Sequence, residues 1–148
     1  MTVLSQSLSK QEDGLRFGAA HYYATNDPET FTKLENQFDL IINTVGAGID
    51  LDAHLKLVKM DGTMVLIGVP EKPVALNAPS LIGARRTLAG SMIGSIKETQ
   101  EMLDFCGKHN IVADIELIPI QSVNDAFDRV VKSDVRYRFV IDMASLKA

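Results

Sequence analysis

The residues whose types and spacing could do chemistry fall in a few short stretches. Ser5-Gln6-Ser7 followed by Lys10 groups hydroxyls with one ammonium, and the first acid after them is Glu12. Neutral donors and a cation without a carboxylate suit a phosphate monoester, which a carboxylate would repel. The ordinary alternative is a serine-capped helix with a solvated lysine, and on these residues alone it carries the greater weight. Asn43-Thr44-Val45-Gly46 and Ile67-Gly68-Val69-Pro70 each end an apolar run, the position where open α/β sheets bind ligands. Gly46-Ala47-Gly48 is the nearest approach to a G-x-G-x-x-G turn. It lacks the third glycine and reads as a turn leaving a strand.

No other grouping supports a reaction. His21, His54 and His109 are scattered, and Cys106 with His109 at i, i+3 would give only two ligands, too few for zinc. Asp52 reads as a helix-start residue. No Ser/His/Asp arrangement has credible spacing. The sequence therefore offers no catalytic and no metal-ligating set of its own.

Alternating strands and helices must position these residues. Thr2 to Ser5 reads as a strand. Ser9 and Glu12 have capping-box spacing for a helix over 10–17, in which Gly14 costs about 1 kcal/mol. A strand over 21–24 and a turn at Asn26-Asp27-Pro28 lead to a helix over 29–36. Leu40-Ile41-Ile42 is an uninterrupted apolar run, as for a strand covered on both faces. Leu51, Leu55 and Val58 recur at helical spacing, Asp61-Gly62 ends that helix, and 63–67 is the next buried strand. A strand over 86–93 follows. Ser95 and Glu98 cap a helix over 97–108 with Met102, Leu103 and Cys106 inward. Next come a strand over 112–118, an amphipathic helix after Ser122 and an alternating strand from Val135 to Ile141. Strand and helix repeat about five times, which specifies an α/β doubly wound parallel sheet.

Whole-chain quantities narrow the function classes. A length of 148 residues suits one domain, and 46% hydrophobic with 23% charged residues is ordinary for a globular protein. A net charge of −4 and a pI near 5.3 argue against nucleic acid as partner. No apolar run approaches the roughly 18 residues of a membrane span, and no basic leader precedes an apolar core. A single cysteine, Cys106, fits a reducing cytoplasm.

Three blocks, Gly90 to Cys106, Asp61 to Pro70 and Val135 to Asp142, resemble the zinc-dependent medium-chain alcohol dehydrogenases. The resemblance is strongest to the cinnamyl-alcohol-dehydrogenase-like branch, which reduces aldehydes with NADPH. It implies a Rossmann-like parallel sheet lacking its first strand and Gly-rich turn. Residues 1–120 would be a partial NADP-binding domain, and 121–148 a helix–strand segment packing on a catalytic domain outside this chain, where the zinc ligands also lie. Position by position, it implies Ser5, Ser7 and Lys10 at the 2′-phosphate, with Gln6 where the family often has a second serine. Thr44 and Val45 would flank the riboses. Gly68 and Val69, with Ser91 and Ile93, would meet the nicotinamide carboxamide, and Arg138 the pyrophosphate. The implied activity is hydride transfer between NADPH and a primary alcohol or aldehyde, with this portion inactive alone. The alternatives are a cofactor-binding or dimerisation module, or part of a zinc-free quinone or enoyl reductase. A homodimer through the edge strand from Leu88 to Met92 is also implied. The gap left by the absent strand is expected either to close directly or to pair with another copy.

Overall fold

The computed structural model describes residues 1–147 and divides into two compact units, residues 1–93 and Gly94 onward. In the first unit the order is β1 (Thr2–Ser5), α1 (Gln11–Arg16), β2 (His21–Ala24), α2 (Pro28–Lys33), β3 (Phe38–Asn43), α3 (Leu51–Lys56), β4 (Val58–Leu66), α4 (Pro79–Ile82) and β5 (Thr87–Gly90). All pairings are parallel, as the strand–helix alternation requires. β1 pairs with β2, and β3, β4 and β5 form a second ladder in that order. The fold is α/β and Rossmann-like.

The core lies between α3 and the β3–β4–β5 ladder. Leu55, Val58 and Met64 are fully buried and Leu51 nearly so, with Ile41, Leu66 and Leu88 packed against them. Each such side chain contributes about 1.5–3 kcal/mol relative to exposure. Asp50 caps α3 by accepting the Ala53 N–H at 3.0 Å, and Asp27 caps α2 by accepting that of Glu29 at 3.0 Å. The Arg86 guanidinium donates to the Val58 carbonyl (2.7 Å), the Ser80 carbonyl (3.0 Å) and Asn36 Oδ1 (2.8 Å). It thereby fastens the start of β4, α4 and the turn after α2 to the entry of β5.

Several local expectations change. Asp61-Gly62 does not stop a helix, because α3 ends at Lys56 and the pair lies inside β4. Asp61 takes a positive φ of 62° there, and its carboxylate is held by Arg85 at 2.6 and 2.8 Å. Ser9 caps nothing, since the residue at the start of α1 is Lys10, without a side-chain cap. The apolar run of β3 is not covered on both faces. Ile41 packs on the core, but Leu40 and Ile42 remain 54% and 56% exposed. β1 and β3 share no ladder, so the expected direct closure between them does not occur.

The second unit contains α5 (Ile96–His109), β6 (Ile115–Pro119), α6 (Val123–Val131) and β7 (Arg138–Asp142). β6 and β7 pair in parallel. The Ser95–Glu98 capping box forms as the sequence predicts. The Met102, Leu103 and Cys106 face of α5 is not inward: the two apolar side chains are about half exposed, and no residue of the helix is buried. Of the α6 stripe only Ala126 is buried, while Phe127, Val130 and Val131 stay exposed. Amphipathic spacing marks a face suited to burial, and among the described residues nothing covers these faces fully.

Candidate functional site

Parallel pairing puts the carboxyl ends of β3, β4 and β5 on one edge. There Asn43 organises the turn. Its side-chain oxygen accepts the Val45 N–H at 3.1 Å, and its carbonyl accepts those of Ile67 and Gly68 at 2.8 and 3.1 Å. This draws Thr44 and Val45 against Gly68. A Cβ on Gly68 would overlap the Val45 carbonyl, so only glycine allows this approach. Ser91 joins the edge through its N–H, which donates to the Leu66 carbonyl at 3.0 Å. Val45, Val69 and Ile93 are 46%, 74% and 92% exposed, leaving apolar surface along these strand ends.

At the end of β1, Ser5 is half-buried and its carbonyl accepts the Thr25 N–H at 2.7 Å and the Thr25 hydroxyl at 3.2 Å. The Ser7 hydroxyl donates to Ser9 Oγ at 3.0 Å, and Lys10 follows at the foot of α1. Hydroxyls, an ammonium and no carboxylate between Ser5 and Lys10 make a donor set that fits a phosphate monoester.

A cleft of about 1520 Å³ separates β1 from β3 and brings Ser5 and Gln6 on one wall to face Thr44 and Val45 on the other. Gly68, Val69, Ser91 and Ile93 lie beyond it, on the β4 and β5 ends. Arg138 begins β7, exposed, in the second unit. The acids nearest the β3 turn are committed to structure. Asp50 caps α3, and Asp52 accepts the Asn77 N–H and side-chain amide at 3.1 and 2.5 Å. Hydrogen bonds from the Ser80 side chain and from Asn77 hold the Asp52 carboxyl below the usual range. Among the described residues no group of three or more His, Cys, Asp or Glu side chains converges. These residues do not fit a zinc ion, and no step through one follows from them.

Sequence reasoning placed Asn43 at a strand end without its hydrogen-bonding role, read Ser9 as a helix cap, and missed Thr25. An asparagine ending a strand two residues before a turn amide is a recognisable Asx-turn signal. The roles of Thr25 and Ser9 depend on contacts the spacing does not encode.

The zinc-binding dehydrogenase family matches residues 1–108. NADP-dependent alcohol dehydrogenase C 1 of Mycolicibacterium smegmatis is 60% identical over 148 residues, covering 100% of this chain and 42% of that protein. Among solved structures, a cinnamyl alcohol dehydrogenase of Sorghum bicolor superposes with a TM-score of 0.92 and 41% identity, over 97% of this chain and 41% of that one. The cinnamyl alcohol dehydrogenase of Helicobacter pylori complexed with NADP(H) gives a TM-score of 0.82 and 36% identity, over 97% and 41%. The chain spans less than half the length of the relatives it matches.

Proposed function

The chain belongs to the zinc-binding dehydrogenase family, and from that premise we propose that it is the cofactor-side portion of an NADP-dependent alcohol dehydrogenase. The reaction is hydride transfer between NADPH and a primary alcohol or aldehyde. The observation that carries this reading is the carboxylate-free donor set of Ser5, Ser7 and Lys10 at the end of β1, beside the clustered ends of β3 to β5.

NADPH, when bound, supplies the hydride. The chain's own residues hold and orient it. Ser5, Ser7 and Lys10 take the 2′-phosphate. Thr44 and Val45 flank the riboses. Backbone groups of Gly68, Val69, Ser91 and Ile93 position the carboxamide, with the Val45, Val69 and Ile93 side chains excluding water. Residues 121–147 of the C-terminal segment (its last residue, Ala148, lies outside the described residues) pack on a catalytic portion outside this chain, which also supplies the zinc ligands, in a reducing cytoplasm. Among the described residues β5 pairs only with β4, and that open edge supports a homodimer, because an unpaired edge strand is a template for association. Titration with NADPH and NADH tests the reading: saturable binding that favours NADPH supports it, and equal or reversed affinity opposes it.

A further inference from the structure

Residues 67–78, between β4 and α4, form no helix or strand, and they carry Gly68 and Val69 along the strand-end edge. At the near end of this segment, the Ile67 and Gly68 N–H groups donate to the Asn43 carbonyl. At the far end, Asp52 in the first turn of α3 takes Asn77 with both of its oxygens. Oδ1 accepts the Asn77 N–H at 3.1 Å, and Oδ2 accepts from Asn77 Nδ2 at 2.5 Å. The Ser80 side chain donates to the same carboxylate. Among the described residues, none from Val69 to Leu76 makes a hydrogen bond. Val74 packs on the core, a non-directional contact that holds the segment down without fixing its course.

Both polar anchors belong to one connection, since Asn43 ends β3 and Asp52 lies at the start of α3. That connection also carries Thr44 and Val45. It therefore grips the β4–α4 segment at its two ends and sets the spacing between the two turns. Asp52 does not line the cleft, so its effect on a ligand passes through the segment it holds. Only a carboxylate has acceptors for both Asn77 groups and for Ser80 at once. An amide in its place has one oxygen, and turns a donor toward the other Asn77 group.

We propose that Asp52 is a positioning residue for the nicotinamide side of the site, holding residues 69–76 so that Gly68 and Val69 keep their place beside Thr44 and Val45. The inference rests on the NADPH assignment proposed for this edge.

Two ligands and one exchange measurement test it. NADPH engages the whole edge, whereas adenosine 2′,5′-bisphosphate carries the 2′-phosphate and lacks the nicotinamide. Asp52→Ala should weaken NADPH by at least about tenfold and leave adenosine 2′,5′-bisphosphate unchanged. Asn77→Ala, which removes the side-chain amide from the other partner, should lose affinity in the same selective way, and Asp52→Asn should fall between Asp52→Ala and wild type. In the free chain, Asp52→Ala should speed amide exchange at Ile67 and Gly68 while Met64 stays protected. Unchanged Gly68 exchange, unchanged NADPH affinity, or equal losses for both ligands would overturn the inference alone. A wild-type chain that binds neither ligand would overturn the NADPH assignment, and the inference with it.

Discussion

Gly68 and Val45 approach so closely that a methyl group on Gly68 would overlap the Val45 carbonyl oxygen. The turn after β3 and the turn after β4 are therefore built as one unit, with Asn43 as their shared hydrogen-bond acceptor. Gly68→Ala must push them apart, at a cost of roughly 1–3 kcal/mol, as for other overpacked sites. A lower urea midpoint with weaker NADPH binding is expected, and an unchanged midpoint would show that the turns can part freely.

Gly14 carries a similar constraint for a different reason. A Cβ there would sit 2.6 Å from Cδ2 of Tyr22, whose side chain is buried under α1. Alanine gains about 1 kcal/mol of helix propensity over glycine, but displacing a packed ring costs roughly 1–3 kcal/mol. Gly14→Ala should destabilise the wild-type chain and stabilise a Tyr22→Leu background. Stabilisation in both backgrounds, measured by urea unfolding, would contradict the packing account.

Acid should loosen the second unit through two glutamates. Hydrogen bonding from Arg129, at 2.8 Å, and from the Arg136 N–H holds the Glu116 carboxyl below its usual range. The Ser95 backbone and side chain do the same for Glu98. A depressed folded-state pKa gives stability that is present above the unfolded value, about 4.3, and is lost as pH falls through the folded one. The amide signals of α5 and β6 should therefore weaken first below that pH, and Glu116→Gln should flatten the dependence. A pH-independent midpoint across this range would contradict it.

No described cluster of His, Cys, Asp or Glu offers a catalytic or zinc-binding set. The purified chain should therefore oxidise no NADPH with an aldehyde, even with zinc added. Measurable turnover under those conditions would contradict the division of labour proposed for this portion.

The parallel architecture was legible because apolar runs, helical spacing and caps recur in order; the Ser95–Glu98 box formed as read. What stayed hidden depends on partners distant in sequence. Gly14 reads as a weak helix position until Tyr22 packs beneath it, and Asp61-Gly62 reads as a stop until Arg85 holds Asp61 inside β4. The half-exposed Leu40 and Ile42 look like any central-strand run, since sequence alone does not reveal which neighbours cover them. For the candidate site, residue types at the β1 end were visible. Their coupling to Thr25 and Ser9, and the Asn43 turn that joins Val45 to Gly68, were not.

The 2′-phosphate selection proposed for the β1 end is measured directly by the ratio of NADPH to NADH affinity. Each charge-assisted hydrogen bond of roughly 1.5 kcal/mol corresponds to about tenfold in affinity. The intact chain should favour NADPH by at least about tenfold. Lys10→Ala should erase most of that preference, and Ser7→Asp should reverse it while leaving NADH binding unchanged. Equal affinity for the two cofactors in the intact chain, or a ratio indifferent to both substitutions, would contradict the account.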